Sequence, residues 1–494
     1  MSGATQDLRF RIQAGGYTRR RLLIRLGSGA VALTALAAAA GCGVASTQPI
    51  TAATAHHSPT GATSSAATTT AAGAATSTPA QASVPAKGRT KLLHWEWAGW
   101  PQMNGPLTKS FNDAHADLEV TAETPAGNYW DKLQVLFAGN SRVPDTYRIN
   151  GPAFPFLAAK GLAADISALL AQDRQTLANL DAMTPYHVKH YQWQGKTMGL
   201  PQGMTLTALC FNRDLLATAG LDDPNTLGDK WNWDTLVSYA QKLTAKDSSG
   251  KQIFGYYADS GWEAGWLPFL YARGGQALND RATKAEVNSP EGIDTFNFLT
   301  SLPLRYHVSP LASDLKGTSA ANLWASGAIA MQAQCSCGFN GNVTAISQKN
   351  TFTWDVATLP LNPVTKRSGS DSNYAGFVMW PKTAHMDEAW QWQRFITTKE
   401  AQEIVGRAQF FPARVEAITT AYIPTIPGPK NLAVLKTVAQ QITQDQPASP
   451  NVGFSVLYGP MGKRSAEMFS GQSSVKDGLL HMQEDLDALL GASH

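Results

Sequence analysis

From residue 90 onward the apolar positions fall into two alternating periods. Thr90–Trp97, Leu118–Ala122 and Ile253–Tyr257 are short apolar runs of strand type. Between the first two, Pro106–His115 places Leu107, Phe111 and Ala114 on one helical face. That strand–helix–strand order predicts a parallel pair with a right-handed crossover. Asn128–Leu133 opens a further helix that runs to Ala138-Gly139, and Asp145 after Pro144 reads as a side chain that fixes backbone N–H groups. The apolar run Met204–Phe211 predicts a strand leaving one unit and entering another. Pro201 before it reads as a break, because proline restricts its own φ and the residue it follows. Asn212-Arg213-Asp214 after it starts a helix that stops at Gly220. Helices are predicted over Trp231–Thr244, with Asp234 favourable near the positive N-terminus, and from Ser289 through Leu299. Strands follow at Trp354–Pro360 and Asn373–Met379, then an amphipathic helix at Ala389–Ile396. The tail repeats Met482, Leu486 and Leu490 at spacing four. Trp95, Trp130, Trp390 and Trp392 read as packing residues, and His94, with no visible partner, as structural.

The pattern stops short of residue 88. Thr18–Leu23 carries adjacent arginines, Ala30–Ala40 is apolar but too short to span a membrane, and Ala39-Ala40-Gly41 precedes Cys42. Charged, apolar, small, Cys is the order of a bacterial lipoprotein signal, which residues 1–42 resemble, with Cys42 as the lipidated N-terminus. The paired arginines resemble a twin-arginine export signal, an ordinary secretory signal being the alternative. Residues 43–87 are Ala, Thr, Ser, Pro and Gly almost throughout, so they bury too little to offset their conformational entropy and read as a disordered tether. A chain of 494 residues exceeds one ordinary core and suits two compact lobes.

Composition removes several classes of function. The net charge is +3, part of it in the first 25 residues, and no basic stripe suggests nucleic acid. Gly-x-Gly-x-x-Gly, Walker, Gly-x-Ser-x-Gly and His-Glu-x-x-His patterns are absent, and no carboxylate pair stands out for glycoside hydrolysis. Of the four cysteines, Cys42 is assigned to lipid and Cys210 reads as a small buried apolar residue. The remaining pair, Cys335 and Cys337, would close a small ring, and one free thiol or none paired is expected. No metal or cofactor is called for. Fourteen tryptophans suit a protein that stacks rings on flat ligand faces.

A resemblance then covers Lys91 to His494. Its blocks include Gly195…Gly199-Leu200-Pro201, Phe211-Asn212-Arg213-Asp214-Leu215-Leu216 with Ala219-Gly220-Leu221, and Tyr129-Trp130-Asp131-Lys132-Leu133 before Ala138-Gly139 and Pro144-Asp145. Leu323–Met331, Trp354–Pro360 and Phe410–Arg414 continue it in order. The chain resembles the extracellular solute-binding proteins of ABC importers, in the maltose-binding-protein-like, sugar-binding cluster. That resemblance implies an α/β, two-lobe periplasmic-binding-protein-like fold of type II, with a ligand cleft and three interlobe crossings. Residues 88–203 and 357–409 would form the first lobe, 204–356 and 410–494 the second. It implies a non-enzyme that binds a carbohydrate without cofactor or metal and delivers it to ABC permease subunits. Such a protein would be exported, anchored on the outer membrane face through Cys42, and monomeric. Carried over position by position, the ligand-binding candidates are Glu96, Trp97, Trp100, Asn128, Tyr129, Asn150 and Gln202 from the first lobe and first crossing. Trp262, Trp266 and Ser336 come from the second lobe, Tyr374 and Gly376 from the returning strand, and Phe411 from the third crossing. The alternatives are a sensor component for a membrane kinase, an exported glycan-active enzyme, or a binder of a non-sugar solute such as a polyol or glycerol phosphate ester.

Overall fold

The computed structural model describes residues 88–97, 100–138, 143–261, 265–315, 317–342, 345–346, 351–442, 444 and 446–491. Residues 1–42, read from the sequence as an export signal ending at Cys42, residues 43–87, read as a tether, and Trp262 lie outside the described residues.

One eight-stranded mixed sheet organises the described chain. Its strands are β1 (Thr90–Trp95), β2 (Leu118–Glu123), β3 (Thr146–Asn150), β4 (Leu200–Asn212), β5 (Met331–Cys335), β6 (Trp354–Ala357), β7 (Ser372–Met379) and β8 (Phe411–Pro412). The main path runs β6-β4-β7-β3-β1-β2, and β5 and β8 pair with β4 off this path. β1 is parallel to both β2 and β3, as the strand–helix–strand order predicts. The connecting helix α1 (Pro101–Ala114) buries Met103, Leu107 and Phe111. Spacing four puts those three on one face; Ala114, the residue expected to extend it, is exposed.

β4 is the axis of the fold. Its first half pairs with β7 and β8, from Leu200↔Phe377 and Gly203↔Pro412 to Leu206↔Ser372. Its second half pairs with β5 and β6, from Thr207↔Cys335 to Asn212↔Trp354. All partners therefore change between Leu206 and Thr207. The backbone N–H groups at that point are met by side chains, Leu206 N donating to Ser336 Oγ at 3.2 Å and Thr207 N to Ser370 Oγ at 3.0 Å. Buried N–H groups need partners, and serines provide them where the ladder changes hands.

The strand begins earlier than its apolar run suggests. Pro201 lies inside β4, opposite Gly376, where the pairing slips between Ala375 and Gly376. A proline has no N–H to give a ladder, and the irregularity removes the demand for one. Two glycines keep this region tight. A Cβ on Gly203 would stand 2.5 Å from the Phe411 carbonyl oxygen, and one on Gly376 would stand 2.4 Å from Tyr191 Cζ.

Helix starts follow local chemistry. Asn212 accepts from Leu215 N ahead of α2 (Arg213–Thr218), Asn232 from Thr235 N ahead of α3 (Trp233–Leu243), and Ser289 from Gly292 N ahead of α4 (Pro290–Leu304). Asp145 accepts from Leu93 N at 2.9 Å, the backbone role expected of it. One apolar cluster packs α1 and α5 (Met386–Phe395) on β1, β2, β7 and Leu200 of β4; a larger one joins the rest, including α6 (Phe454–Phe469) and α7 (Val475–Gly491). Cys335 and Cys337 are joined as a disulfide with Cα atoms 5.2 Å apart, and Cys210 is a buried free thiol.

Candidate functional site

Charged and aromatic side chains gather at the C-terminal ends of β1 and β3. Arg148, in the middle of β3, is fully buried, and its Nη1 donates to Glu96 Oε2 at 3.2 Å. Glu96 Oε1 lies 3.3 Å from His94 Nε2, and His94 Nδ1 lies 2.7 Å from Thr146 Oγ1. With the ring proton on Nε2, His94 accepts from Thr146 and donates to Glu96, so the histidine orients the carboxylate that faces Arg148. Burial lowers the guanidinium pKa and the neighbouring Glu96 opposes that shift.

Rings cover the guanidinium. Its Cζ stands 3.9 Å from the Trp97 ring centre, 4.7 Å from that of Phe410 and 5.2 Å from that of Trp100. Trp97 neighbours Trp130 at 5.7 Å, Trp130 meets Phe454 edge-on at 4.9 Å, and Phe454 meets Tyr458 at 5.7 Å. Tyr458 Oη donates to Gln446 Oε1 at 3.5 Å, and Gln446 Nε2 donates to Asp371 Oδ2 at 2.7 Å. Asp371 also accepts from Thr207 Oγ1, just past the point where β4 changes partners. Burial raises the Asp371 pKa, and the Thr207 and Gln446 hydrogen bonds pull it back. An aromatic and polar path thus joins the end of β1 to the second half of β4.

The remaining candidates divide clearly. Tyr129 is buried, and its hydroxyl is shared between the carbonyls of Arg148 at 2.8 Å and Trp95 at 3.3 Å. Burial first, and then the charge of Glu96, push its pKa well up. Asn128 is exposed and accepts from Trp130 N at 2.9 Å; Asn150 accepts from Ala153 N at 3.1 Å. Both side chains therefore shape backbone turns. Gln202 is fully buried with Nε2 3.7 Å from Met103 Sδ. Ser336 caps Leu206 N, and Phe411 packs on Tyr422 at 5.0 Å. Gly376 sits at the β4–β7 irregularity. Trp266 lies apart from the cluster, wholly buried against Phe296 at 5.2 Å, a core position.

Tyr374 is buried against three side chains of the short helix Pro185–His190: His187 at 4.2 Å, His190 at 4.6 Å and Tyr186 at 5.8 Å. Neither ring nitrogen of His187 has a partner among the described residues, and burial, then the charge of His190, hold its pKa well below the usual histidine range. The unfolded chain therefore takes up a proton below about pH 6.5 that the folded chain refuses, so this contribution to stability is present above that pH and is lost as pH falls. The expected slope is at most about 1.4 kcal/mol per pH unit. His187→Leu should flatten the unfolding free energy between pH 6.5 and 5 relative to wild type in parallel denaturant titrations; equal slopes would count against this assignment.

Sequence reasoning passed over Arg148 and Phe454, and read Trp130 as packing alone. The one local signal for Arg148 was a charged residue within the short strand segment Thr146–Asn150; that all five positions are buried is seen only in the structure. Phe454 has no such signal, because its importance comes from Trp130, far away in the chain.

Comparison with known proteins adds the following. The sequence profile described as bacterial extracellular solute-binding protein matches residues 98–403. A protein of Brucella abortus (strain 2308) whose name describes it as a binding protein is 24% identical over 217 residues, 42% of this chain and 48% of that protein. A counterpart in Brucella suis biovar 1 (strain 1330) matches equally. The chain thus spans about half the length of these curated relatives. Among solved structures, the ABC substrate-binding protein Lmo0181 from Listeria monocytogenes, in complex with cycloalternan, superposes with a TM-score of 0.69 at 21% identity, covering 82% of this chain and 99% of that one. UspC of M. tuberculosis gives 0.67 at 23%, covering 81% and 100%. The sugar-binding protein MalE of Xanthomonas citri gives 0.70 at 14%, covering 82% and 98%. At these identities the likeness shows the fold, the mixed α/β architecture of type II periplasmic binding proteins.

Proposed function

We propose that this chain, which belongs to the bacterial extracellular solute-binding protein family, captures a carbohydrate between two lobes and hands it to the permease of an ABC importer. The lobes are 88–203 with 357–409, and 204–356 with 410–494. The partner exchange along β4 near the first of these boundaries supports the division. Cys42 anchors the protein by lipid to the outer face of the membrane, and residues 43–87 tether the lobes away from it. Among the described residues no helix is long and apolar enough to cross a membrane.

The observation that carries this reading is the half-buried Trp97–Trp130 pair beside the Glu96–Arg148 ion pair. A sugar offers flat C–H faces and a rim of hydroxyls; indole rings take the former, and carboxylate and guanidinium groups take the latter. The edge contact between Trp130 and Phe454 links the two lobes, so ligand held between them favours the closed state. Neighbours of the same fold support a sugar as cargo, one solved with cycloalternan and another described as sugar-binding.

Thermal unfolding of the full chain against a panel of mono- and oligosaccharides tests this. A ligand at a hundred times its dissociation constant, bound only by the folded state, adds about 2.7 kcal/mol, a shift of a few degrees for a protein of this size. One sugar class raising the midpoint, with the sugar recovered intact, is the expected result. A flat panel would remove carbohydrate as the ligand.

A further inference from the structure

Arg148 presents donors that the protein leaves unanswered. Nη1 meets Glu96, but Nε and Nη2 have no acceptor among the described residues, although the side chain is 0% exposed. These two N–H groups point the same way along one edge of the guanidinium, the fork that binds two oxygens at once. An unmet buried donor is costly, and more so when charged, so a fork kept in this condition calls for an occupant. Trp97, Phe410 and Trp100 wall it on the aromatic side. Two acceptors on the segments that carry or touch these rings also lack a donor among the described residues. Gln202 Oε1 is buried with no donor among the described residues, in a side chain whose Nε2 reaches Met103 and whose neighbour Gly203 abuts the Phe410 ring. Asn104 Oδ1, in the residue after Met103, is in the same state.

Two free donors and two free acceptors ask for groups that both accept and donate. Hydroxyls do so; a carboxylate answers only the donors. The charge balance points the same way. Glu96 already pairs with Arg148, so a ligand carboxylate would add an uncompensated negative charge to a buried site. We propose that Arg148 is a ligand-binding residue whose free fork grips adjacent hydroxyls of a neutral saccharide, and that Glu96 sets the site against acidic sugars. This rests on the carbohydrate reading above.

The test titrates the full chain with matched neutral and uronic sugars: glucose with glucuronate, galactose with galacturonate, maltose with maltobiouronate. Wild type is expected to bind the neutral member of its preferred pair at least about tenfold tighter than the acid. Arg148→Met should weaken neutral binding by about 30-fold or more. Arg148→Lys, which keeps the charge and loses the fork, should fall with it. Glu96→Gln should improve the acid relative to the neutral sugar by about tenfold or more, a gain that damage to the fold cannot produce. If one variant fails to fold, the others still decide. Both Arg148 variants binding within threefold of wild type would mean that the fork holds only water, and would overturn the proposal. So would a Glu96→Gln variant with an unchanged neutral-to-acid ratio, or a wild type that prefers the acid. Wild type binding no sugar at all would bring down the carbohydrate reading and this inference together; wild type binding a neutral sugar with variants unmoved would overturn the inference alone.

Discussion

Replacing Trp97 by alanine is expected to weaken saccharide binding by about 30- to 1000-fold while the protein remains folded. Buried aromatic anchors at the centre of a binding surface are worth about 2–4 kcal/mol on truncation, and each 1.4 kcal/mol is a factor of ten. In the proposed carbohydrate site Trp97 takes that position. One face lies 3.9 Å from the Arg148 guanidinium, its neighbour Trp130 is 5.7 Å away, and the ring is only half-buried. Its removal takes away a stacking surface and uncovers the ion pair to water, which weakens every polar contact beside it. Calorimetric titration with the saccharide that shifts the unfolding midpoint measures the effect. Affinity within threefold of wild type would show that the ligand does not stack there.

Trp392→Ala should act in the opposite way, lowering the unfolding free energy by about 3–5 kcal/mol with little effect on affinity in the protein that stays folded. The ring is buried amid Phe111 at 5.1 Å, His94 at 5.5 Å, Phe377 at 5.6 Å and Phe395 at 5.8 Å. No neighbour can move in to fill the space without disturbing the seam between α1, α5 and the sheet, so both transfer and cavity costs are felt. Denaturant unfolding reads the loss, and a change below about 1.5 kcal/mol would mean that the seam repacks. The two tryptophans are alike in local sequence surroundings, each near aromatic neighbours, and only their depth in the fold separates their effects.

Much of the architecture was legible in the chain. Periodicity and side-chain caps act over three or four residues, so the buried face of α1, the Asn212, Asn232 and Ser289 helix starts, and the crossover strand could be read directly, although α1 begins at Pro101 and not at the expected Pro106. Pro201 was the exception. Its break in the sequence became an irregularity inside β4 because a partner strand slipped register opposite it.

The site depended on the tertiary structure. Arg148 and Glu96 are 52 residues apart, and Trp130 meets Phe454 across most of the folded chain. Trp97 and Trp266 were equal candidates as letters, yet one lies beside an ion pair at a strand end and the other in the core against Phe296. Local sequence determined which segments are helices and strands, because hydrogen bonds and apolar stripes repeat over short intervals. Which polar groups were left facing one another, and which of them lack partners, was decided only when the sheet brought distant strand ends together, because burial and charge pairing are properties of neighbours in space.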